Sequence, residues 1–244
     1  KVTVSAASAI GTLVSATDTV CTATGTTLTL GASTGTVAWY KATNYVTATG
    51  AGTWTLVPLS ATVTSTTLAT GNLTYSATTP TTWYKAVAIS GACTSTSNIV
   101  SVTVSPAAVA KAITATSATV CTGSGTTLTL ATGSVGSIQW QKSTTSATEG
   151  FENVGSVVPA TTATNGVVTL PTDALTQDTW YRIVFTNGAC SVNSAVVKVT
   201  VSSASAIGEL TTASATICTA TGTTLTLGSS TGTVAWYKST NYVT

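Results

Sequence analysis

The 244-residue chain carries only eight basic and six acidic side chains, and 61 Thr and 28 Ser stand where charges usually do. It has no His, which excludes Ser-His-Asp and Cys-His nucleophile systems and His-ligated metal sites. A net charge of +2 offers no basic footprint for nucleic acid or an anionic membrane surface, and no run approaches the ~20 consecutive apolar residues of a membrane-spanning helix.

The local patterns are those of strands. Lys1-Val2-Thr3-Val4-Ser5 is a short strand with no signal-peptide layout. Thr27-Leu28-Thr29-Leu30 alternates with period two, as a half-buried strand does. Gly31 to Gly35 forms a turn, and Val37 to Lys41 the next strand. Trp54 to Val57 is a strand stopped by Pro58, and weaker ones are expected near Thr62–Leu68 and Leu73–Ala77. Trp83–Ile89 and Ile99–Val104 close the unit as a hairpin around Gly91-Ala92-Cys93. Seven or eight short strands in about 100 residues, with no helical periodicity, predict an all-β immunoglobulin-like sandwich.

The pattern then repeats. Residues 1–47 align without gaps on 198–244, with 38 of 47 positions identical. Inside that period a weaker repeat begins at Cys21, Cys121 and Cys218, each opening a CT-x-x-G-TTLTL segment. Each segment leads to a strand Trp with Lys two places on: Trp39, Trp140 and Trp236. The expected organisation is a head-to-tail array of tandem domains. It comprises the last strand of a preceding domain (1–5), domain 1 (6–105), domain 2 (106–202), and the N-terminal part of an incomplete domain 3 that copies domain 1 (203–244). A chain cut at one phase of its own repeat reads as a window on a longer protein.

The strand tryptophans Trp39, Trp140 and Trp236 are expected in the cores, with Tyr84 and Tyr181, each two residues before an inward position, beside them. The remaining tryptophans lie on strands whose alternation turns some aromatics outward, where they cover a neighbouring surface or stack on sugars. Five cysteines at regular spacing, outside any CxxC pattern, predict one disulfide per complete domain in an oxidising setting: Cys21 with Cys93, and Cys121 with Cys190. The partner of Cys218 then falls outside the chain, and buried free thiols are the alternative.

The order VC-T-x-x-G-TTLTL, a strand Trp, a W-Y strand, G-A-C and a V-x-V end resembles the tandem Ig-like repeats of very large surface proteins of Bacteroidota. Gliding adhesins and other type IX-secreted filamentous adhesins are examples. The resemblance covers the whole chain and implies an extracellular or cell-surface location. Asp18-Thr19-Val20 also fits the short Asp-Thr/Ser-apolar pattern that such bacteria O-mannosylate, which makes Thr19 a candidate glycosylation site.

No catalytic, cofactor or metal site is expected. Glu149 and Glu152 share a loop without a pocket signal, and the acids are too scattered for interdomain calcium clusters. The expected function is non-enzymatic: a stalk or filament segment of a repetitive surface protein, with its neighbouring repeats as partners and lateral or end-to-end self-assembly. A carbohydrate-binding module using exposed aromatics, and a subunit polymerising by exchange of strand 1–5, are the alternatives.

Overall fold

The computed structural model describes residues 1–60, 62–160 and 167–240. The end of the expected third unit, residues 241–244, lies outside the described residues. The chain is all-β, with two successive sandwiches of identical topology and a fragment of a third.

In the first domain the strands are β1 (Leu13–Ser15), β2 (Thr19–Cys21), β3 (Thr27–Leu30), β4 (Thr36–Ala42), β5 (Thr55–Val57), β6 (Thr67–Ala69), β7 (Thr81–Ser90), β8 (Cys93–Thr96) and β9 (Val100–Ser105). The smaller sheet has the order β1-β3-β6, all antiparallel. The larger sheet runs β2-β9-β7-β4-β5, with β8 also on β7. β2 joins it by a parallel pairing to β9. Consecutive strands β1 and β2 thus belong to opposite sheets, and β8 and β9 are two segments of one hairpin arm facing β7. This is the immunoglobulin-like sandwich, its two sheets packed face to face.

The second domain repeats every element: β10 (Ile113–Ala115), β11 (Thr119–Cys121), β12 (Thr127–Leu130), β13 (Ser137–Ser143), β14 (Glu152–Val158), β15 (Val168–Pro171), β16 (Thr179–Asn187), β17 (Cys190–Asn193) and β18 (Val197–Ser202). Sheet orders β10-β12-β15 and β11-β18-β16-β13-β14 match those of domain 1, including the parallel pairing of β11 with β18.

Alternation puts one face of each strand into the core. On β4 it buries Val37 and Trp39; on β7 it buries Tyr84, Ala86 and Ala88. Leu13, Leu28, Leu30 and Leu68 of the smaller sheet close over them. The Trp39 Nε1–H donates to the Thr64 carbonyl at 2.8 Å, so the indole is both buried and satisfied. In domain 2, Trp140, Tyr181, Ile183 and Phe185 meet Ile113, Leu128 and Leu130.

Hydroxyls do more than face outward. Thr26 is buried, its Oγ1 accepts the Thr17 N–H, and its own N–H donates to Thr70 Oγ1. Thr126 repeats this with Ser117 and Thr172. Ser97 and Ser194 accept the N–H groups of Ala86 and Ile183, which bridges the break between the two arm segments. A short hydroxyl satisfies such backbone groups without bringing a charge inside.

Three expectations need correction. Leu73–Ala77 is not a strand; Leu73 makes only an isolated bridge to Thr24. The motif at residues 1–5 is not in a strand either. Its Val2 and Val4 are 94% and 89% exposed, whereas the matching Val199 in β18 is fully buried. Trp236, expected in a core, is 57% exposed. Among the described residues, the third unit pairs β19 (Leu210–Thr212) with β20 (Leu225–Leu227) and adds an isolated bridge between Ala206 and Thr231. The counterparts of β6 and β7, which close over Trp39, are not among them.

Candidate functional site

The junction between the two complete domains is the most specifically built feature of the chain. Its centre is Ser105, the last residue of β9. On the domain 1 side, Ser105 stands opposite Cys21 in the parallel register, and its carbonyl accepts the Thr22 N–H at 3.0 Å. On the domain 2 side, its Oγ accepts the Ala189 N–H at 2.9 Å, and Asn187 Nδ2 donates to the Ala107 carbonyl at 3.3 Å. Ser105 is itself buried. One residue therefore serves two domains, with only Pro106 and Ala107 beyond it before domain 2 takes over.

The turn that receives Ser105 requires glycine. Gly188 has a φ of +59°, and a Cβ there would run into the Ser105 side chain. Both constraints come from the same place: the β16–β17 turn is tight, and another domain presses on it.

This geometry decides the disulfide. Cys21 bonds Cys190, with Cα atoms 4.7 Å apart and a sequence separation of 169. The bond joins the domains. The expected intradomain pairs, Cys21 with Cys93 and Cys121 with Cys190, are not formed, and Cys93, Cys121 and Cys218 are free thiols. The reason is strand length. Cys21 sits at the Ser105 end of the larger sheet, near the start of β7, whereas Cys93 pairs with Ser90 at the far end of β7. Ten residues of strand at ~3.3 Å each separate them by about 30 Å, and a disulfide needs Cα atoms within about 7 Å.

The outward faces of the larger sheets carry aromatic–cation clusters. In domain 1 the Tyr45 ring lies 5.5 Å from Trp54 and 5.9 Å from Trp83, and Lys85 Nζ sits 4.3 Å above Trp54. In domain 2 the Arg182 guanidinium lies 4.0 Å over Phe151 while its Nε donates to Gln141, and Lys198 lies 5.2 Å from Trp180. Each of these rings thus lies beside a neighbouring ring or a cation of its own domain.

Few groups have shifted acidity. Burial pushes the Tyr84 phenol up to about 12. Burial also raises that of Tyr181, with the Asp173 charge adding to it. The Asp178 carboxyl is lowered, first by the hydrogen bond from Lys198 at 2.7 Å and then by the Val201 N–H. Glu149 and Glu152 are both exposed, and the Glu149 backbone is tied into its loop by Ser143 and Ser146. An open cleft of about 300 Å³ beside β4 is lined by Lys41, Asn44, Thr82 and Tyr84. Among the described residues no three His, Cys, Asp or Glu side chains group to hold a metal. Among the described residues no helix is long and apolar enough to cross a membrane. Thr19 is exposed on β2.

Fold and junction together define tandem immunoglobulin-like domains locked to each other by a covalent bond. The chain belongs to the family described as Domain of unknown function (DUF8696), which matches it twice, at residues 10–106 and 110–203. Among solved structures it is similar to murine CEACAM1b, at 18% identity over 80% of this chain and 100% of that one, with a TM-score of 0.43. It is also similar to the N-terminal four Ig domains of Dscam1 isoform 6.9, at 16% identity over 80% of this chain and 47% of that one, with a TM-score of 0.32. No curated protein matches the chain.

Proposed function

We propose that the chain is a load-bearing segment of an extracellular stalk or filament, in which successive Ig-like domains set reach and the junctions set stiffness. The observation that carries this is the use of Ser105 by both domains, closed by the Cys21–Cys190 bond. A two-residue connection leaves little angular freedom, and a covalent bond across it removes more. Pulling on such a junction loads the disulfide as well as the sheet hydrogen bonds. Stable disulfides belong to oxidising compartments, which supports a location outside the cytoplasm. The resemblance of the repeats to those of type IX-secreted surface adhesins of Bacteroidota supports this reading.

Small-angle scattering of the 244-residue chain tests the rod. Two domains in line, each about 35–40 Å long, give a radius of gyration well above the ~18 Å of a compact globule of this length. A value near 18 Å refutes the rod. With few charges and no His, the profile stays the same from pH 5 to 8 and on raising salt.

A further inference from the structure

Three cysteines remain unpaired, and all stand at positions of the bonded pair: Cys93 at that of Cys190, Cys121 and Cys218 at that of Cys21. Cys121 faces Ser202 in the parallel register as Cys21 faces Ser105, and the Thr122 N–H donates to the Ser202 carbonyl at 2.9 Å, as Thr22 does to Ser105. Cys93 opens β8 as Cys190 opens β17.

The hairpin that carries Cys93 also holds half of a junction already. Ser5 Oγ accepts the Ala92 N–H at 3.3 Å, just as Ser105 accepts that of Ala189. Gly91 has a φ of +57°, and a Cβ there would strike the Ser5 side chain, as one at Gly188 would strike Ser105. Lys1-Val2-Thr3-Val4-Ser5 is identical to Lys198–Ser202, which lies within the last strand of domain 2. Its valines are exposed here and lack the sheet that buries Val199. In both complete domains, the serine ending this strand has a cysteine directly across the parallel register.

From these matches we propose that Cys93 and Cys121 are complementary halves of the same interdomain bond. Cys93 bonds the β2-type cysteine of the domain that residues 1–5 complete, and Cys121 bonds the hairpin cysteine of the domain that follows. The bonds then form a ladder, each domain tied to the next at every junction. Each new bond joins two thiol sulfurs and releases two protons. Its two electrons pass to a disulfide donor, whose own S–S bond becomes two thiols. The proposal rests on the head-to-tail array.

The test is a tandem chain in which residues 1–197 are followed directly by residues 1–244, which keeps the natural register because Lys198–Ser202 repeats Lys1–Ser5. It is refolded with oxidised and reduced glutathione, and free thiols are alkylated before non-reducing tryptic mapping of the monomer band. Trypsin leaves each cysteine on its own peptide, with Cys93 on 86–111 and Cys121 on 112–142. The expected map links 86–111 to 112–142, besides 2–41 to 183–198, and leaves three thiols alkylated. The 244-residue chain alone gives only the second link. Cys121→Ser in the first copy abolishes the new link and leaves Cys93 of the second copy alkylated. Alkylated Cys93 and Cys121 throughout, a 2–41 to 86–111 link, or a 86–111 to 112–142 link in the single-chain monomer overturns the proposal. So does a new link found only in covalent dimers. An elongated scattering profile with such a map would leave the rod standing and remove the ladder.

Discussion

Replacing both Cys21 and Cys190 by serine removes the interdomain bond and keeps the Ser105 hydrogen bonds to Thr22 and Ala189. The bond closes 169 residues of sequence, but the structure makes the effective loop shorter. Cys21 stands opposite Ser105, which is docked beside Cys190. When domain 2 alone unfolds, the constrained loop therefore runs from Ser105 to Cys190, about 85 residues. When domain 1 alone unfolds, it runs from Cys21 to Ser105, nearly the same length. Chain entropy gives about 4.5 kcal/mol for a loop of that size, so both domains lose comparable stability. At about 4–8 °C per kcal/mol for a domain of this size, the melting temperature falls by roughly 20 °C or more. Calorimetry of the double variant against the parent chain, each in non-reducing buffer, measures this. A fall of only a few degrees, or one confined to a single domain, refutes the argument that the bond constrains both.

The cores and turns give further expectations. Trp39→Ala removes a fully buried indole and its bond to Thr64 and costs about 3–5 kcal/mol in urea unfolding, whereas Trp236→Ala, at an exposed position, stays within about 0.5 kcal/mol. Gly188→Ala meets both the positive φ and Ser105, while Gly155→Ala meets only the positive φ with open space around it; the first is expected to cost at least about 1 kcal/mol more, and equal losses would remove the role given to the Ser105 contact. Ala23 holds a φ of +63° where domain 2 has Gly123, so Ala23→Gly raises stability by up to about 1 kcal/mol. The Tyr84 phenol ionises near 10 when unfolded and near 12 when folded. Its contribution is intact below pH 10 and is lost as pH rises through 12, up to about 3 kcal/mol. A tyrosine absorbance titration of the folded chain that finds every phenol ionised near pH 10 contradicts that burial.

Most of the architecture is written in local pattern. Period-two runs such as Thr27–Leu30 and Val37–Lys41 declare half-buried strands because only alternation can place Leu inward and Thr outward. The internal repeat, with its recurring Cys, Trp and W-Y positions, declares successive copies of one domain, and the absence of His excludes several chemistries outright. Strands β1 and β2 are harder to see. Three residues each, they hold their places through one pairing apiece, to β3 and β9, and their alternation is too short to read. The buried hydroxyls of Thr26 and Ser194 look in sequence like any others; only packing shows which backbone groups need them. The cysteine pairing depended on tertiary structure entirely. Spacing counts residues, whereas a disulfide depends on distance in space. The length of β7 puts Cys93 out of reach of Cys21, and the docking of Gly188 on Ser105 brings Cys190 to it. The low-charge, hydroxyl-rich composition set the kind of surface this protein presents. Where one domain ends and the next is fastened to it was decided by the fold, because a contact between two folded ends leaves no periodic trace in either one.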